Sequence, residues 1–260
     1  MPKIAITGKG GVGKTTLAAL LAQIYAEAGH KVIAIDADPA ASLAFALGMP
    51  PELAAQITPI AQMDSLIYER TGAKPGTSGG FFTLNPRVDD IPDRFSVLHR
   101  GVRLLQLGTI STGGSGCICP ESTILKALVT HAILYRNEVM ILDMEAGLEH
   151  LGRATAQAVD GFLIVVEPGM RSLSTAQAIR KLAADIGVTR AYVVGNKVRN
   201  QADRDFISRN LPADMPVAGF LSHSAAAVEA DMRGQAVFDA APALLAEARA
   251  IVEKLDEAVR

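Results

Sequence analysis

Residues 3–28 read KIAITGKGGVGKTTLAALLAQIYAEA, and the fold turns on how this stretch is parsed. A short apolar run, Ile4–Thr7, ends in a glycine-rich turn. The turn leads directly into Leu17, Leu20, Leu21, Ile24 and Tyr25, which form one stripe at helical spacing. Gly29 stands where such a helix stops, so a helix is predicted over Thr15–Ala28. The turn itself, Gly8-Lys9-Gly10-Gly11-Val12-Gly13-Lys14-Thr15, has the GxxxxGK[ST] spacing, with a strand before it and a helix after it. Glycines there let backbone N–H groups turn inward around phosphate oxygens, and the helix N-terminus adds partial positive charge. Lys14 is expected to bridge the β- and γ-phosphates of a nucleotide. The Thr15 hydroxyl is expected on Mg²⁺, and Thr16 on the α-phosphate.

Further along the chain the same alternation recurs. Val32–Asp36, Val102–Leu107, Val139–Asp143, Gly161–Val166, Ala191–Gly195 and Val217–Leu221 are apolar runs separated by helix-like segments. Most are continuously apolar, as parallel strands covered on both faces must be. The fold class predicted is α/β: a doubly wound, mostly parallel sheet with helices on both faces, of the P-loop NTPase kind. One domain over residues 1–260 is expected. A Gly/Pro-rich surface insertion near 71–93 breaks the rhythm.

Composition narrows the class. The 260 residues carry 25 Lys+Arg against 27 Asp+Glu, a net charge of −2, which argues against nucleic-acid binding through bulk charge. No run is long and apolar enough for a membrane span or a signal peptide. Phe238–Arg260 is amphipathic, but its polar face is more acidic than basic, which suits core packing better than a membrane surface. Two cysteines do not make a disulfide scaffold, so a cytoplasmic protein is expected.

Other residues extend the nucleotide site. Val139–Asp143 is an apolar strand that delivers the carboxylate of Asp143 to the Mg²⁺ shell. Gly147 follows, with a backbone N–H placed to sense the γ-phosphate. Gly195-Asn196-Lys197-Val198-Arg199 looks like a base-recognition corner. Guanine needs a carboxylate at position 199, and Arg199 has only donors, so adenine is favoured. Asn196 is expected on its exocyclic amine, Lys197 beside it, and the Phe220 region as a wall.

Cysteine is concentrated at one place, Gly116-Cys117-Ile118-Cys119-Pro120-Glu121. Pro120 suits the first position of a helix, which puts Cys119 at its cap, where thiolates are favoured as metal ligands. One CxC supplies two soft donors. Two copies related by a dyad supply four, suited to Zn²⁺ or an iron–sulfur cluster when tetrahedral and to Ni²⁺ when square-planar.

Lys9, a second lysine within the loop, resembles the deviant KGGVGKT loop of the MinD/ParA/nitrogenase-iron-protein superclass. That resemblance implies that Lys9 reaches the nucleotide of a partner subunit. For Asp36-Ala37-Asp38-Pro39 it implies that Asp38 orients or deprotonates the attacking water and that Asp36 holds Mg²⁺ through water. GKGGVGKTT, DADP, LNPRVDDIPD, GCICPE, ILDMEAGLEHLGRAT, VVEPGMRSLSTAQAI and VGNKV together resemble the CooC family, nickel-inserting accessory ATPases of carbon monoxide dehydrogenase. The resemblance implies an ATP- and Mg²⁺-dependent homodimer binding Ni²⁺ or Zn²⁺ at Cys117 and Cys119, with carbon monoxide dehydrogenase as client. An iron–sulfur carrier and a MinD/ParA-type positioning ATPase remain the rival readings.

Overall fold

The computed structural model describes residues 1–76, 81–108, 119–145 and 158–259, with residues 258 and 259 as backbone only. Among these, eight strands form one sheet: β1 (Lys3–Gly8), β2 (Val32–Ala37), β3 (Val97–His99), β4 (Val102–Gln106), β5 (Val139–Met144), β6 (Gly161–Val166), β7 (Ala191–Val198) and β8 (Val217–Ser222). Their order is β3-β4-β2-β5-β1-β6-β7-β8. Every expected apolar run forms a strand, and β1, β2, β5 and β6 are buried at all residues, as their unbroken hydrophobicity requires. All pairings are parallel except β3–β4. That hairpin turns through Arg100 and Gly101 at φ 48° and 82°, the two-residue geometry whose twist matches antiparallel strands. β3 was not expected from sequence.

The helices are α1 (Lys14–Glu27), α2 (Leu43–Ala46), α3 (Pro51–Ala54), α4 (Asp64–Thr71), α5 (Ile91–Phe95), α6 (Pro120–Tyr135), α7 (Met170–Asp185), α8 (Gln201–Arg209), α9 (Ala225–Arg233), α10 (Val237–Ala240) and α11 (Pro242–Val259). They give the sheet two cores. On one face Leu17, Leu20 and Leu21 of α1 pack with Leu244, Ile251 and Leu255 of α11 against Ile4, Ile6 and Ala34. On the other, Ile124 and Leu128 of α6 and Leu173 and Ile179 of α7 pack against Ala5, Ile33 and Leu142. Successive strand residues point to opposite faces, so one strand serves both layers. α11 is held to α1 by the Tyr25 hydroxyl donating to Asp256 at 3.0 Å and by the Arg249–Glu27 ion pair. Its apolar stripe is therefore spent on packing.

The 71–93 segment departs from a plain surface loop. Gly72 ends α4 at φ 77°, but Val88 and Ile91 then return to the core and α5 follows. Residues with so few apolar neighbours in sequence give little sign that Val88 and Ile91 are buried.

Candidate functional site

The three central strands, β2, β5 and β1, all end at the same edge of the sheet. Ile6 lies level with Asp143, and Asp143 level with Asp36. The loop after β1 thus meets both carboxylates where parallel sheets place their ligands, beyond the carboxyl ends. Gly11 and Gly13 sit at φ 77° and 96°. At Gly13 a Cβ would fall 2.1 Å from Asn196 Nδ2, so no larger residue fits. Lys14 is buried, with Nζ 3.5 Å from the Lys9 carbonyl, and Lys9 itself is half-buried.

Asp143 is fully buried, and neither carboxylate oxygen has a hydrogen-bond partner among the described residues. Burial pushes its carboxyl up to about 7; the Thr15 hydroxyl opposes the shift and the neighbouring Asp36 charge adds to it. Asp36 is also buried and is pushed up to about 6 by desolvation. Its oxygens are nevertheless engaged: Oδ1 accepts from Asp38 N at 3.2 Å and Oδ2 from Leu43 N at 3.0 Å. Asp38 is half-buried, takes the Ala40 N–H at 2.9 Å and faces the cavity described below. Ser42 Oγ donates to Thr15 Oγ1 at 3.4 Å. An orphaned buried carboxylate beside a second carboxylate and a hydroxyl is a hard-oxygen donor set that fits Mg²⁺.

The corner after β7 serves the loop. Asn196 Nδ2 donates to Val12 O at 2.8 Å, and Asn196 Oδ1 accepts from Lys197 N at 2.8 Å. Lys197 lies at φ 57°, which only strong local contacts sustain in a residue with a Cβ. Its Nζ donates to Gly11 O at 2.6 Å and pairs with Glu167 Oε2 at 3.1 Å. A register shift between Gly195 and Val198 accompanies this turn. Asn196 was expected on the base and Lys197 at the nucleotide; in this structure both side chains bond the glycine-rich loop.

A cavity of about 830 Å³ opens beside them. Gly11, Gly13, Lys14, Thr15 and Thr16 line one side, with Glu167, Asn196, Lys197 and Arg199 next to them, and Ser222, His223 and Ser224 lie on the far side. Phe220 does not line it; the ring lies against Gly195 and under Arg204, at 5.3 Å. The Phe220 region meets the cavity through Ser222–Ser224, at the end of β8 and the start of α9, and not through the ring. Sequence reading missed Glu167 and Ser222–Ser224, although both sit at strand ends on the ligand edge.

Cys119 caps α6 as expected. Its Sγ accepts from Ser122 N at 3.4 Å, while Cys119 N donates to Ser122 Oγ at 3.2 Å, a reciprocal capping box. The thiol is buried and free. Cys117 and Gly147 lie outside the described residues. Among the described residues no group of three or more His, Cys, Asp or Glu side chains could hold a metal ion.

A phosphate-cradling loop ahead of α1, paired with a buried strand-end carboxylate, defines a P-loop nucleotide-binding protein. Residues 3–237 match the CobQ/CobB/MinD/ParA nucleotide binding domain. The chain is 45% identical over 257 residues to the carbon monoxide dehydrogenase accessory protein CooC of Rhodospirillum rubrum, covering 99% of this chain and 97% of that one. It is also 45% identical over 238 residues to an uncharacterized ATP-binding protein of Methanocaldococcus jannaschii, covering 90% of each. In fold it is similar to a plasmid partition protein of Borrelia burgdorferi solved with AMPPNP, at 15% identity and TM-score 0.69 over 99% of both chains. The chain belongs to the CobQ/CobB/MinD/ParA nucleotide-binding family and, within it, to the CooC family.

Proposed function

We propose that this chain is a Mg-ATP-dependent ATPase that dimerises on nucleotide, carries nickel or zinc as cargo on Cys117 and Cys119, and assists nickel insertion into carbon monoxide dehydrogenase. The observation that carries the reading is Cys119, a buried thiol capping α6, in a chain 45% identical to a carbon monoxide dehydrogenase accessory protein. The family supports ATP as the nucleotide, and the strand-end carboxylates support the cation that accompanies it.

In this mechanism the amides of Gly10–Thr15 and the Lys14 ammonium hold the β- and γ-phosphates, and Thr16 holds the α-phosphate. Thr15 and Asp143, with Asp36 through water, would hold Mg²⁺, which would neutralise charge on the phosphates when bound. Asp38 orients the attacking water and accepts its proton. Lys9 reaches the partner subunit's nucleotide and stabilises the charge that develops during transfer, as an arginine finger does. Gly147 senses the γ-phosphate by its N–H. Asn196 and Lys197 keep the loop in shape and border the base. Two CxC motifs, one from each subunit of the ATP-bound dimer, then supply four thiolates, and a change at the γ-phosphate alters their hold on the metal.

The test is anaerobic titration with Ni²⁺ and Zn²⁺ during analytical ultracentrifugation, in nucleotide-free, ADP and ATP states, for the parent and Cys117→Ser/Cys119→Ser. One metal per dimer, lost in the double variant and altered by nucleotide, is the expected result. Metal binding indifferent to the cysteines would return the chain to the positioning-ATPase reading.

A further inference from the structure

The first turn of α6 carries a second unusual group besides its thiol cap. Glu121 is only 3% exposed, although a carboxylate on the N-terminal turn of a helix ordinarily faces water. Its Oε1 accepts the Gly76 N–H at 2.6 Å, across 45 positions of sequence. Its Oε2 is buried with no hydrogen-bond partner among the described residues. Such an oxygen is destabilising, and native chains retain one where a cation, a ligand or a moving segment makes use of it.

Gly76 belongs to the segment that sequence reading singled out and left without a role. The far end of that segment is fixed: Val88 and Ile91 lie in the core, and Asp90 pairs with Arg70 and Arg94, both at 2.8 Å. Between Gly76 and that anchor stand Phe81 and Leu84, both exposed. Glu121 therefore joins the near end of an apolar surface segment to the turn that Cys119 caps.

We propose that Glu121 is a positioning residue that couples a divalent cation at Cys119 to the conformation of the segment around Gly76. The inference rests on the reading of Cys119 as a ligand for the cargo metal. A divalent ion at the thiol places positive charge two residues along the chain from a carboxylate shielded from water, where charges attract more strongly than in bulk solvent. The held carboxylate in turn holds the Gly76 N–H. Coupling of this kind is reciprocal, so whatever displaces the segment at Gly76 weakens the metal at Cys119.

Two variants separate shape from charge. Glu121→Gln keeps an acceptor for Gly76 and removes the charge, and Glu121→Ala removes both. Anaerobic Ni²⁺ and Zn²⁺ affinities are measured with amide exchange at Gly76 in the full chain, with melting temperature and ATP-analogue affinity as controls of folding. In the parent, metal is expected to slow exchange at Gly76. Both variants are expected to bind metal about 10–100-fold more weakly, and in Glu121→Ala exchange at Gly76 no longer responds to metal. Metal affinities within about twofold of the parent in folded variants overturn the coupling, even if melting falls, because they leave Glu121 a purely structural role. Exchange at Gly76 that ignores metal in the parent overturns it too, and this readout needs no variant to fold. A parent that binds no metal through its cysteines overturns the cargo reading itself and the coupling with it; the parent titration tells the two failures apart.

Discussion

Asp143 illustrates how one residue trades stability for readiness to bind. Its carboxyl moves from 3.8 to about 7 on folding, chiefly because burial strips its hydration. The unfolded group ionises first as pH rises, so the metal-free chain is expected to lose stability from about pH 4 through about 7. Asp36, raised to about 6, adds to the loss over the lower part of that window. Asp143→Asn removes the ionisation, and its melting temperature at pH 8 in chelator is expected to exceed the parent's by about 4 °C or more. ATP turnover is expected to fall at least about a hundredfold in the same variant. A melting curve of the parent that is flat with pH would contradict the assigned burial cost. Lys9→Ala is expected to abolish nucleotide-dependent dimerisation in sedimentation and to cut phosphate release by about a hundredfold or more. Unchanged turnover would sink its role across the interface.

At the scale of elements, the strand-turn-helix over residues 3–28 was readable because three signals agree there: an apolar run, glycine spacing and a 3.6-residue stripe. The same is true of the Cys119 cap, where proline marks the first helical position. What escaped notice has physical causes. Val97–His99 is a three-residue strand with no buried position, too short and too exposed to leave a pattern. Glu121 gives no local sign of burial, since acidic residues are nearly always outside. Asn196 bonds Val12 across 184 positions, a pairing that only the folded sheet creates. That contact also carries a prediction. Gly13→Ala puts a Cβ 2.1 Å from Asn196 Nδ2 at φ 96°, and nucleotide affinity is expected to drop at least about tenfold by titration calorimetry. Affinity equal to the parent's would show that the loop can shift away from Asn196.

At the scale of the molecule, the doubly wound plan was legible because continuous apolar strands alternate with helices, while the burial of Val88 and Ile91 in the 71–93 segment was not. The two-layered core also decides what the end of the chain does. α11 packs Leu244, Ile251 and Leu255 against the α1 face, so Ile251→Ala is expected to destabilise by about 2–5 kcal/mol. Denaturant unfolding measures this, and a change below about 0.5 kcal/mol would mean the helix is only loosely docked.

The bond from Lys197 to Gly11, braced by Glu167, has a consequence for the timing of nucleotide capture. A cradle fastened across the sheet takes its form as the chain folds, so an arriving triphosphate need not wait for it to assemble. In rapid mixing, binding should follow a single phase whose rate climbs in proportion to nucleotide concentration without a plateau. Cutting the fastening with Lys197→Ala should introduce a ceiling, as ordering of the loop becomes the slow event.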